Sequence, residues 1–189
     1  EDMLGTYLVK MGGTDLSASD SHMTAKLLHL IGDFERISDH AVNVVESAEE
    51  MKNKGLSFSS SAKRELSVLT AAVGEVMDLA LEAFLRDDPA LAAQVEPLEQ
   101  VIDALKEQLR TRHILRLQRG ECTIELGFVW SDLLTNLERV ADHCSNIAGC
   151  VIEMSHDSLG VHEYLDAVKA GGTGFRRAYE SYAEKYALL

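Results

Sequence analysis

Two stretches of this chain carry the same polar residues at the same spacing. Glu35-Arg36-Ile37-Ser38-Asp39-His40-Ala41-Val42-Asn43 recurs 103 residues later as Glu138-Arg139-Val140-Ala141-Asp142-His143-Cys144-Ser145-Asn146. Glu, Arg, Asp, His and Asn are kept, while the apolar positions vary among similar types. On a helix, residues at i, i+4 and i+8 lie along one stripe, so each copy lines up two carboxylates and an amide oxygen. That is a donor set for a hard cation, and His40 and His143 add a ring nitrogen one position past each aspartate. Carboxylates one turn apart destabilise an isolated helix by roughly a few tenths of a kcal/mol. Arg36 and Arg139 offset this in part, and a bound cation would offset the rest. Two plainer roles stay open: Asn43 and Asn146 as caps of neighbouring backbone, and His40 and His143 as buried hydrogen-bonding groups.

A third pair, Glu99 and Asp103, has the same i, i+4 spacing, and Glu96 and Glu107 extend it into an acidic stripe. Brought beside the second motif copy, it makes a multi-carboxylate surface suited to Mg²⁺, Mn²⁺, Fe or Zn²⁺.

The elements that must position these residues read as helices throughout. A short amphipathic piece covers 1–11 and ends at Gly12-Gly13. Ser19 or Asp20 is a cap candidate for a long helix that stops at Lys54-Gly55. Its apolar stripe is Leu27, Leu30, Phe34, Ile37, Ala41, Val44 and Ala48. Ser59-Ser60-Ser61 opens a helix over 62–86, with Leu66, Leu69, Val73, Val76 and Ala80 as its buried face. Asp87-Asp88-Pro89 ends that helix and starts another, predicted to run unbroken to Gln118-Arg119-Gly120 with Leu98, Ile102, Leu105 and Leu109 inward. A helix over 123–155 carries the second motif copy. The tail reads as a short helix over 161–170, a break at Gly171-Gly172-Thr173-Gly174 and a last helix over 175–188. Phe175, Tyr179, Tyr182 and Tyr186 follow each other at helical spacing, as a packing face or a docking surface for a partner helix.

No segment alternates with period two, so the expected class is all-α. The net charge of −13 argues against nucleic acid or anionic lipid as a direct partner. No window approaches the ~18 apolar residues of a membrane span, so direct lipid insertion is not expected. Cys122, Cys144 and Cys150 lack metal-finger spacing and read as small reduced hydrophobes.

The duplication reaches beyond the motif. Asp2-Met3-Leu4-Gly5-Thr6-Tyr7-Leu8 aligns with Asp103-Ala104-Leu105-Lys106-Glu107-Gln108-Leu109. The second unit is then three helices, and the first has lost its first helix and most of its second. The chain also opens in mid-pattern, as a fragment of something longer would.

Two copies of Glu-Arg-Ile/Val-x-Asp-His-x-x-Asn on the third helix of a repeated three-helix unit resemble the PhoU family over roughly residues 1–155. The resemblance implies tandem three-helix bundles, the first truncated at its N-terminus, followed by a C-terminal helical extension. The expected units are 1–58, 59–157 and 158–189. It further implies metal clusters, of divalent or trivalent ions, at Glu35, Asp39, Glu138 and Asp142, with Glu99 and Asp103 on the partner helix. Asp2 would be the surviving half of the matching first-unit pair.

The tail, His162-Glu163-Tyr164-Leu165 and then the aromatic stripe, is similar to the carboxy-terminal PhoU-like domain of bacterial sodium-dependent phosphate cotransporters. This implies a non-enzymatic regulatory domain at the cytoplasmic side of the bacterial inner membrane. Its partner would be the transmembrane part of its own transporter, and a second copy of the chain is another candidate. The alternative is a free-standing PhoU-type adaptor that restrains a histidine kinase and an ATP-dependent phosphate importer. A third reading, a di-iron carboxylate oxidase, needs Glu-x-x-His on two helices. The chain offers Glu153-Met154-Ser155-His156, at a helix end.

Overall fold

The computed structural model describes residues 2–12, 17–155 and 172–188, and every element among them is a helix. In chain order these are α1 (Asp2–Gly12), α2 (Ala18–Asn53), α3 (Ser60–Arg86), α4 (Pro89–Ala92), α5 (Val95–Gln118), α6 (Ile124–Ser155) and α7 (Thr173–Lys185). The short helix expected over 161–170 and His156 lie outside the described residues.

The boundaries follow local chemistry. Ser17, and not Ser19 or Asp20, caps α2: its side chain accepts from the Asp20 backbone N–H. Ser59 does the same for α3 through Ala62. Gly55 and Gly120, at φ 63° and 68°, take the left-handed conformation that closes α2 and α5, which glycine adopts without a Cβ penalty.

The helix predicted over 89–118 is two helices. Asp88 caps a single turn by accepting from the Ala90 and Leu91 N–H groups, and α5 begins again at Val95. Pro97 supplies the reason. It has no N–H to give the carbonyl of Ala93, and its ring crowds that carbonyl, so the chain breaks there and places Pro97 in the first turn of a new helix.

α6 is the central element. It packs against α3 and α5 on one side and runs antiparallel to α2 on the other. The pairs Lys26–Glu153 (3.5 Å) and Lys54–Glu125 (2.8 Å) mark the two ends of that seam. Between α3, α5 and α6 lies the main core, where Leu69, Val76, Leu98, Ile102, Leu109 and Trp130 are fully buried. Each such aliphatic side chain contributes roughly 1.5–3 kcal/mol relative to exposure. The predicted stripes of α3 and α5 are therefore the observed core.

The α2 stripe is only partly covered. Leu30 is buried and packs with Ile147 and Cys150, but Ala41 and Ala48 are exposed. Their counterparts in the second copy, Cys144 and Val151, are buried against the α3–α5 side.

Burial pushes the Cys144 thiol up to about 12 and the Cys150 thiol to about 11, with Asp33 adding to both, which suits small apolar fillers. α7 lies along α5 and turns its aromatic stripe inward, with Tyr179 and Tyr182 half-buried on the main core and Tyr186 buried. The stripe is a packing face. Among the described residues no helix is long and apolar enough to cross a membrane.

Candidate metal centre

Pairing α5 with α6 along their length sets the acidic stripe of one beside the second motif copy of the other. Glu99 and Asp103 of α5 and Asp142 of α6 bring one carboxylate oxygen each to within 4.8 Å of one another. Asp103 is exposed and the other two half-buried, so an ion reaches them from solvent. Burial holds the Asp103 carboxyl above its usual range, helped by the charges of Glu138 and Asp142 and opposed by Lys106. Asp142 is raised the same way, by burial first and then by Glu138, with Arg139 opposing. Carboxylates held from ionising by burial and by neighbouring negative charge are relieved by a cation between them. Three oxygen donors of this kind fit a hard divalent ion.

Glu138, the first acid of the second copy, stands beside this group without joining it. Its side chain holds the Lys106 ammonium at 2.7 Å, with the Arg139 guanidinium at 4.0 Å. Arg139 itself turns to Asp142 at 2.9 Å. Glu96 leaves the expected stripe altogether. It is buried and accepts a 2.6 Å hydrogen bond from Ser145 of α6. Its burial comes from that contact with α6, since on α5 it shares the stripe of exposed Asp103.

The first motif copy is placed differently. Glu35 and Asp39 are exposed on α2, and no group of three potential ligands forms around them among the described residues. At ~1.5 Å per residue, Asp2 lies about 15 Å from the end of α1, whereas Asp39 lies about 31 Å into α2. Since α1 folds back on the start of α2, it is too short to bring Asp2 level with Asp39. The alignment of Asp2 with Asp103 therefore does not carry over into a matching site.

The histidines and asparagines of both copies face the α2–α6 seam. His143 Nδ1 lies 2.9 Å from Asp33 Oδ1, and Asn146 donates to the same oxygen at 3.1 Å. One half-turn of symmetry away, His40 Nδ1 lies 2.8 Å from Asn136 Oδ1, to which Asn43 donates at 2.9 Å. The two imidazoles stack between these clasps with centroids 5.6 Å apart. His40, Asn43, His143 and Asn146, offered by the sequence as extra ligands, thus hold the two repeats together. Asp33 and Asn136 are also duplicate positions, separated by the same 103 residues, and that offset was the sequence signal for them.

Residues 66–151, spanning most of α3 through α6, match a family model described as PhoU domain. That segment resembles a PhoU domain. A Thermotoga maritima protein described as phosphate-specific transport system accessory protein PhoU homolog 1 is 28% identical over 148 residues, covering 78% of this chain and 62% of the relative. A PhoU homolog of the same description from Pseudomonas aeruginosa is 30% identical over 141 residues, covering 72% of this chain and 55% of the relative. The chain thus spans little more than half the length of such relatives.

Among the described residues, two further features had no sequence signal. Buried Glu65 of α3 is clasped by Arg116 at 2.7 Å and Arg112 at 3.3 Å from α5. His113 and Trp130 stack at 5.6 Å with the Arg116 guanidinium 5.4 Å from the Trp130 ring. Both join residues about 50 or fewer positions apart on different helices, which periodicity cannot pair.

Proposed function

We propose that this chain is a metal-binding regulatory domain that serves bacterial phosphate transport as an accessory, and that it is not an enzyme. The observation that carries the reading is the Glu99–Asp103–Asp142 group in a segment that matches the PhoU domain model. Its acids repel one another, and a divalent cation is the ligand that relieves them. Glu138 completes the donor set once Lys106 is displaced. A bound ion would cancel the local charge and draw α5 and α6 together, so that metal occupancy changes the shape and charge offered to a partner.

The names of the relatives support a free-standing adaptor acting on components of a phosphate transport system over the domain of a sodium-dependent cotransporter. The tail no longer favours the cotransporter reading, because its aromatic face is taken up by the core of this same chain. Under either reading the working surface is the α5–α6 face, and the domain acts where a transporter meets the cytoplasm.

Calorimetric titration of the full chain with Mn²⁺, Zn²⁺ and Mg²⁺ tests the metal reading. Binding that disappears in the Glu99→Gln, Asp103→Asn, Asp142→Asn triple variant supports it. No heat with any ion, or binding that survives in the triple variant, would sink it. Sequence upstream of residue 1 in the gene separates the two settings: a run of apolar spans points to the cotransporter, a soluble leader to the adaptor.

A further inference from the structure

The groove that holds the acidic group continues along α5 and α6 and changes character. Past Glu99 and Asp103, α5 presents Lys106, Arg110, His113 and Leu117 in succession, and α6 answers Asp142 and Glu138 with Ser131, Phe128 and Ile124. Here the groove opens into a cavity of about 480 Å³. That volume is in the range of small-molecule sites. Its walls are apolar, with Lys106 and Arg110 at the end nearest the carboxylates.

Three observations say that this cavity takes a ligand. Ile124 and Phe128, on its rim, are 74% and 69% exposed, a cost in water that an apolar occupant removes. His113 and Trp130 line it and are 6% and 1% exposed, which gives an apolar body a dry aromatic floor. Gly127 keeps the space beside His113 open: a Cβ there would stand 3.2 Å from Nε2.

We infer that the cavity binds a small amphiphilic anion, with its carboxylate or phosphate head on Lys106 and Arg110 and its apolar body between Ile114, Leu117 and Phe128. Lys106 links this site to the acidic group, because its ammonium is held by Glu138 at 2.7 Å. A cation that takes Glu138 frees Lys106 for the anion and cancels the negative charge that repels it. Anion and metal therefore bind with positive coupling. The coupling rests on the metal reading above, whereas the anion site itself does not.

Trp130 is the single tryptophan, so its fluorescence reports on the cavity. Octanoate is the probe and octanol the neutral control, titrated into the full chain. Saturable binding of octanoate is expected, about tenfold tighter than octanol. The Lys106→Gln, Arg110→Gln variant, with its helical circular dichroism unchanged, is expected to lose about tenfold. Glu138→Gln, which frees Lys106 without any metal, is expected to tighten octanoate binding about threefold. Saturating Mn²⁺ is expected to tighten it in the wild type and less in Glu138→Gln, where Lys106 is already free.

Equal binding of octanol and octanoate, or no loss in the double variant, overturns the anion site. So does a dimer in sedimentation that leaves octanoate unbound, since a second copy then fills the groove. Tight binding by Glu138→Gln with no Mn²⁺ effect on the wild type overturns the coupling while the anion site stands, and the calorimetric titration decides the metal reading separately. Glu138→Gln binding no tighter than wild type overturns the role of Lys106.

Discussion

Replacing Asp103 by asparagine should make the domain more stable without metal and less stable with it. Asp103 has two acid neighbours, Glu99 and Asp142, with oxygens within 4.8 Å. Two unit charges at that distance in water repel by about 1 kcal/mol. Salt and the exposure of Asp103 reduce each pair to some tenths. Removing both gives a gain of about 0.5–1 kcal/mol, and the asparagine keeps the side-chain volume. For a domain of this size that is a rise of about 1–4 °C in Tm. Saturation with metal at about 100 times its Kd adds about 2.7 kcal/mol to the wild type, or about 5–10 °C. Asp103→Asn should show little of this second rise. Thermal melts of both proteins in EDTA and in Mn²⁺ would then cross. A variant that melts below wild type in EDTA would refute the repulsion argument. A wild type whose Tm ignores Mn²⁺, Zn²⁺ and Mg²⁺ would refute the site.

Glu65→Ala strands the buried Arg116 guanidinium and should cost about 3–5 kcal/mol in urea unfolding; a change below about 1 kcal/mol would mean water reaches that charge. Asp33→Ala removes the acceptor shared by His143 and Asn146 and should cost about 1–3 kcal/mol by the same measurement, with the helix content of the intact fold unchanged. The docking of α7 should weaken in acid. Burial acts to raise the Glu75 carboxyl, but the hydrogen bonds from Lys185 and Tyr186 outweigh it and hold the group below its usual range. A depressed carboxylate stabilises the fold above its unfolded value and loses that contribution as pH falls through the folded one. Proteolysis near residue 172 should therefore quicken below the ordinary carboxylate range, and Tyr186→Phe should show part of the same loss at neutral pH; a pH-independent cleavage rate would contradict this.

Much of the fold could be read from the sequence because helices write their own limits. Serine caps, glycine stops and a three-four apolar spacing are local, and Leu69, Leu98, Ile102 and Leu109 appear in the core where that spacing put them. The break before α5 was also local, but Pro97 sits inside a strongly amphipathic pattern that masks it. The acidic stripe was legible as far as Glu99, Asp103 and Asp142. Glu96 was not, because i, i+3 and i+7 positions share one narrow stripe and only packing against Ser145 of α6 shows which of them turns inward.

The sequence by itself determined that this chain is helical, that it repeats, and which residue types the repeat preserves, since periodicity and duplication are properties of one dimension. Tertiary structure alone decided how those preserved residues divide their work. Pairing α5 with α6 set Asp142 of the second copy beside Glu99 and Asp103, while pairing α2 with α6 took the histidines and asparagines of both copies as a clasp. The first copy has the same letters, but carboxylates gather only where a neighbouring helix is long enough to bring others within a few ångströms, and α1 is not.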